Sequence, residues 1–142
     1  MKSAKWQADL QQLRQSRLFN NVAAGSISQL LKEFRACELA ADEVLLSPFN
    51  RNQYLYLLLK GQLKVYLGSL DGQPVSTLNV GDCAGEISFI DNEHPSAYVV
   101  ASEPCCVLRL HRESLFQLFR QSPELMQNML ELLCDRVRKG NR

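Results

Sequence analysis

A chain of 142 residues, 46% hydrophobic and 22% charged, has the length and balance of one globular domain with an ordinary core, not of a disordered or fibrous protein. Its formal net charge of +1 provides no overall field to steer it onto nucleic acid or an anionic membrane. No apolar run reaches membrane-spanning length and "MKSAKWQADL" lacks the apolar core of a signal peptide, so a cytoplasmic protein is expected.

Trp6, Leu10 and Leu13 recur at helical spacing and predict an N-terminal amphipathic helix of about three turns, which "SRLFNNV" interrupts. Ser26, with Gln29 three places on, has a capping-box pattern and is expected to open a second helix lined by Ile27, Leu30, Leu31 and Phe34. From about Cys37 the pattern changes to short apolar or alternating runs, such as "EVLLS", "YLYLLL", "QLKVYLG", "VSTLNV", "YVVAS" and "CCVLRL". Turn signals separate them, of which Asp71-Gly72 is the strongest for a hairpin, between Leu63-Val65-Leu67 and Val75-Leu78. So many short strands with close turns imply a sandwich or small barrel.

Helical spacing returns after Leu110. Leu115, Phe116, Leu118 and Phe119 mark one short helix, and Ser122-Pro123 reads as an N-cap followed by proline at the first helical position. Leu125, Met126, Met129, Leu130, Leu133 and Val137 line a last helix with Gly140 as its stop. That stripe is wide for one surface helix and reads equally as core or as a seam with a second copy of the chain. Arg136, Arg138, Lys139 and Arg142 form the one basic cluster, read as cations completing the helix C-terminus. The expected organisation is a single domain over residues 1–142, mainly β with flanking helices. Helices fill about 3–35, a β-roll about 37–110 and C-terminal helices about 112–139.

The five cysteines are an odd set, with Cys37, Cys83 and Cys134 far apart and Cys105-Cys106 adjacent, and none has CxxC spacing. Neighbours on a strand point to opposite faces, so all five are read as reduced small hydrophobes.

The stretch "GEISFIDNEHPSAYVV", residues 85–100, carries the chemistry. Gly85 lets the backbone approach a ligand closely. Amides at the start of a short helix, near Ile87 and Ser88, can bind an anion. Glu86 can accept hydrogen bonds from sugar hydroxyls. The Ser96 hydroxyl and the Ala97 backbone amide can add contacts to an anion. Each residue also has a structural reading: turn glycine, solvated acid, capping serine.

Taken together, "RLFNNVAAGSISQLLKEF", "YLYLLLKGQLKVYL" as a hairpin with Gly61 as its turn glycine, "NVGDCAGEISFI", and the series from "AYVVASEPCCVLRL" to "LCDRV" resemble the cyclic nucleotide-binding domain family. This is the type found in the catabolite activator protein and the protein kinase A regulatory subunit. The resemblance spans almost the whole chain. It implies a double-stranded β-helix or jelly roll of about eight strands, N-terminal helices and C-terminal hinge helices. It also implies a phosphate-binding cassette in which Gly85, Glu86, Ile87, Ser88, Ser96 and Ala97 hold cAMP or cGMP, with no other cofactor. Ligand occupancy would then reposition the C-terminal helices of a regulatory domain that controls an attached output domain or partner. No output domain lies within these residues, so the chain is expected to be a fragment of a larger regulator or a stand-alone module. A homodimer through the last helix is expected, with no direct nucleic-acid or membrane partner.

Two positions depart from the family. Pro95 stands where the family carries its phosphate-pairing arginine, and no arginine lies between Glu86 and Arg109. Phe49 replaces a turn glycine. Three accounts of the cassette follow: His94 replaces the arginine, though a histidine with a pKa near 6.5 is mostly neutral at pH 7; the pocket takes a less charged ligand or related small anion; or the pocket is empty. Rival functions are a ligand-free dimerisation scaffold of the same fold, and a redox or metal sensor using Cys83 beside the pocket with Cys105 or Cys106. No nucleophile-and-base arrangement, acid pair or metal-ligand cluster suggests an enzyme.

Overall fold

The computed structural model describes residues 1–4 and 10–139, apart from the side chains at 87, 89 and 90. The described residues form nine strands: β1 (Lys2–Ser3), β2 (Arg35–Leu39), β3 (Val44–Leu46), β4 (Tyr54–Lys60), β5 (Leu63–Tyr66), β6 (Ser76–Leu78), β7 (Cys83–Ala84), β8 (Tyr98–Ala101) and β9 (Cys105–His111). The α-helices among the described residues are α1 (Leu10–Leu13), α2 (Ala24–Leu31), α3 (Glu86–Asp91), α4 (Arg112–Gln121) and α5 (Pro123–Arg138). The strands form two antiparallel sheets ordered β1-β2-β9-β4-β7 and β3-β8-β5-β6. This is the expected mainly-β jelly roll with flanking helices.

Burial of both faces explains the unbroken run "YLYLLL". On β4, Leu55 and Leu57 join a core beneath the helices with Phe19, Ile27, Leu110 and Leu115. Tyr56 and Leu58 point the other way, into the core between the sheets with Leu63, Val65 and Val107. Period-two alternation in a strand covered on both sides therefore leaves no polar face. The β9 strand behaves alike, with Leu108 and Leu110 under the helices and Cys105 and Val107 between the sheets.

Several expectations need correction. "YLYLLLKGQLKVYL" is not a hairpin: β4 and β5 belong to different sheets, and Gly61 turns the chain from one to the other. Gly61 has φ +92, and a Cβ there would lie 2.6 Å from the Pro104 carbonyl oxygen, so a side chain is excluded twice over. The hairpin around Asp71-Gly72 does form, pairing Leu63 with Leu78 and Val65 with Ser76, but its strands end at Tyr66 and Ser76 and leave a long loop. Ser26 lies inside α2 and caps nothing; the N-cap is Ala23, which makes no side-chain capping bond. Ser3 belongs to β1, which pairs with β2, and not to the first helix. Trp6 and Gly140 lie outside the described residues. Ser122 does cap α5, its Oγ accepting from the Leu125 amide, with Pro123 in the first turn.

Candidate functional site

The short β7 strand delivers Gly85 to the N-terminus of α3. Gly85 adopts the left-handed conformation at φ +85, and a Cβ would meet the Asn52 amide nitrogen at 2.6 Å. Glu86 and the Ile87 backbone follow in the first turn of α3, and Ser88 lies in the same turn. On the facing side, Pro95 and Ala97 are buried and Ser96 is exposed, just before β8. The fold thus brings Gly85, Glu86, Ser88, Pro95, Ser96 and Ala97 around one cavity of about 40 Å³, closed below by Leu46, Val65 and Val99.

Asn52 organises this cassette, and the sequence reading missed it. Its Oδ1 accepts from the Tyr54 amide at 3.1 Å, an Asx turn entering β4. Its Nδ2 donates to the Tyr54 carbonyl at 2.7 Å, with the Ser88 hydroxyl at 3.2 Å and the Gly85 carbonyl at 3.4 Å. Ser88 in turn donates to the Gly85 carbonyl at 3.3 Å. Ser88 is therefore a buried structural hydroxyl that holds the glycine turn. The only hint in the sequence was an asparagine in a polar loop just before an apolar run.

Glu86 is 3% exposed. Its Oε1 accepts from Arg136 Nε at 2.7 Å, and its Oε2 is buried without a hydrogen-bond partner. Burial holds its carboxyl above the ordinary 4.5, with the Arg136 charge acting in the opposite sense and Asp82 reinforcing the rise. Arg136 comes from the last turns of α5 and also donates from Nη2 to the Cys83 carbonyl at 2.9 Å. Among the described residues lining the cassette cavity it is the one cation. The basic cluster at the end of α5 is thus not uniformly a solvated helix terminus: Arg136 turns inward. Fifty residues separate it from Glu86, and no local pattern encodes their meeting.

Other candidate residues lie elsewhere. His94 is exposed, with Nδ1 2.9 Å from the Pro48 carbonyl oxygen, and does not line the cavity, so it does not stand in for the arginine here. Cys83 lines a neighbouring cavity of about 170 Å³ shared with Arg17, Asp135 and Arg136. Burial pushes its thiol up to about 12, which keeps it protonated and unreactive. Cys105 and Cys106 line a third, separate cavity. None of the five cysteines forms a disulfide, and among the described residues no group of three or more His, Cys, Asp or Glu is placed to hold a metal ion. Phe49 is 78% exposed, sits beside the Tyr98 ring, and is not among the residues of positive φ. Its turn therefore has no need of a glycine.

Among the described residues no helix is long and apolar enough to cross a membrane. Residues 36–122, more than half of the chain, match the family model described as the cyclic nucleotide-binding domain. The cyclic AMP receptor protein of Thermus thermophilus is 28% identical over 131 residues, covering 91% of this chain and 61% of its own length. Neuropathy target esterase sws of Drosophila willistoni is 26% identical over 139 residues, which cover 92% of this chain but 9% of that protein. The chain therefore spans less than two thirds of either relative. Among solved structures, the Thermus thermophilus catabolite activator protein superposes with a TM-score of 0.79 at 29% identity, over 89% of this chain and 60% of that one. By the family-model match and the jelly roll that carries the cassette, the chain belongs to the cyclic nucleotide-binding domain family.

Proposed function

We propose that this chain is a non-enzymatic, cytoplasmic regulatory sensor domain whose cassette takes cAMP, cGMP or a closely related nucleotide and couples its occupancy to the C-terminal helices. The observation that carries this is the buried Glu86 beside Gly85, with Oε2 lacking any partner, in a cavity faced by Ser96 and Ala97. A buried acceptor without a donor is costly, and a sugar hydroxyl would supply one. Backbone amides at Glu86–Ile87 and Ala97, with the Ser96 hydroxyl, then face the phosphate.

Affinity is expected to be low. Losing one partner of a buried charge pair costs about 3–5 kcal/mol, or roughly two to four powers of ten in affinity. Pro95 offers neither charge nor amide hydrogen. The test is calorimetric titration with cAMP and then cGMP. Saturable heat that disappears in Glu86→Ala supports the proposal; no heat and no thermal shift at millimolar nucleotide would leave only the scaffold reading.

A dimer through α5 belongs to the same proposal. Met126, Leu130 and Val137 are exposed at 38%, 55% and 67%, and with Leu133 they are spaced by four, three and four residues. That is a heptad seam whose Leu133 is half-buried against the core, while its other three members are exposed, unlike the buried Leu125 and Met129. A second copy would cover it, and the output controlled by the domain would be attached or recruited beyond it.

A further inference from the structure

Two facts about the cassette stand in tension with an open ligand site. Its cavity of about 40 Å³ has room for a few water molecules, whereas pockets for drug-sized ligands run to roughly 300–1,000 Å³. Its acid, meanwhile, is already engaged: Arg136 holds one Glu86 oxygen at 2.7 Å. The guanidinium also ties to the Cys83 carbonyl, one residue before the Ala84-Gly85 wall of the cavity. It thus lies between the cassette and the larger cavity of about 170 Å³ behind it, lining both.

The anchoring of α5 is divided in the same way. Its first half is held by apolar burial of Leu125 and Met129 and by Asn128, whose Nδ2 donates to the Leu18 and Asn20 carbonyls at 2.7 and 2.8 Å. Its second half has half-buried Leu132 and Leu133 on the core side and an exposed Val137. Beyond these, the half is tied by an Arg17–Asp135 pair at the surface, where solvent screens it, and by the partly buried Arg136 on the buried Glu86. The end of α5 is thus tied to the cassette through the partly buried Arg136 side chain.

We infer that Arg136 is a closing residue of the ligand site: its guanidinium holds Glu86, shuts the cassette and pins the last turns of α5, so that a ligand must displace it and thereby free the helix end. The inference rests on the sensor reading above for its ligand, and on the structure alone for its closed state. The contact also gives occupancy a physical route to α5, because the group that leaves Glu86 belongs to that helix. A ligand can shift the helix only by its differential affinity for the open state, which here includes the lost Glu86–Arg136 pair.

The test compares the full chain with Arg136→Gln, Glu86→Gln and the double variant, by amide hydrogen exchange without nucleotide and by calorimetry with cAMP as the probe. Exchange at residues 132–138 should quicken about tenfold in either single variant and no further in the double, while β4 and β9 amides stay unchanged. Arg136→Gln should also bind cAMP more tightly than the parent. Unchanged exchange at 132–138 in both single variants overturns the inference. So does weaker cAMP binding by Arg136→Gln, which would make Arg136 a holder of the ligand and not its competitor. Faster exchange with no cAMP heat in any protein supports the closure and contradicts the nucleotide-sensor reading instead.

Discussion

Replacing Asn52 by alanine should loosen the cassette. Asn52 is 4% exposed and its amide group serves three backbone groups and one hydroxyl. Two hydrogens on Nδ2 serve acceptors at 2.7, 3.2 and 3.4 Å, so the longest contact counts for little, while Oδ1 accepts at 3.1 Å. Three effective bonds at about 0.5–1.5 kcal/mol each, with partners left buried, give a loss of about 2–4 kcal/mol. At roughly 4 °C per kcal/mol for a domain of this size, the melting temperature falls by about 8–16 °C. Urea unfolding at 25 °C and calorimetric melting measure the two quantities independently. Asn52→Asp sharpens the test, because it keeps the Asx acceptor but turns a carboxylate towards the Tyr54 and Gly85 carbonyls; it should be at least as damaging. A loss below about 0.5 kcal/mol in Asn52→Ala, or an Asn52→Asp variant of parental stability, would refute the assignment of Asn52 as the clamp.

Further outcomes follow from the same geometry. Gly85→Ala should cost about 1–2 kcal/mol from its left-handed backbone alone, and more while Asn52 stands 2.6 Å from the new Cβ; in an Asn52→Ala background the extra cost should shrink, as denaturant titration of the double-mutant cycle would show. Gly61→Ala, with a Cβ 2.6 Å from the Pro104 carbonyl oxygen, should lose more than about 2 kcal/mol, and a soluble variant of parental melting temperature would contradict the crossover geometry. The Glu86 carboxyl should titrate above 4.5 by carbon-13 NMR and move further up in Arg136→Gln, since burial raises it and Arg136 opposes the rise. Because the folded value lies above the unfolded one, Glu86 contributes most to stability below pH 4.5, and that contribution is lost as pH rises through the raised value. Leu130→Glu on the exposed seam of α5 should abolish any dimer in sedimentation equilibrium without lowering monomer stability by more than about 0.5 kcal/mol, because Leu130 is 55% exposed.

Much of the fold is legible in the sequence because it rests on periodicity and local chemistry. The Leu115-Leu118-Phe119 spacing, the Ser122-Pro123 cap and the alternation on β5 each decide one element from adjacent residues. Legibility fails where the deciding partner is distant. Ser26 has a capping-box pattern, yet the chain enters α2 earlier, at Ala23, with Ile27 and Leu30 in the core beneath the five-stranded sheet. Gly61 reads as a hairpin glycine because the sequence does not say which sheet each flanking strand will join. The cassette shows the same division: Gly85 and Glu86 announce themselves, and the loss of the arginine at Pro95 is visible. The clamp from Asn52 and the inward reach of Arg136 depend on packing between elements 33 and 50 residues away in the chain.

The most direct test of the account is the set of backbone amide shifts recorded while cAMP is added to nitrogen-15-labelled protein up to about 1 mM, the range to which loss of the pairing arginine moves a micromolar site. The account expects saturable shifts at Gly85–Ser88 and Ser96–Ala97, accompanied by shifts at residues 132–138 of α5 as Arg136 leaves Glu86. An unchanged cassette at that concentration, or shifts confined to the separate cavity at Cys105 and Cys106, would contradict it.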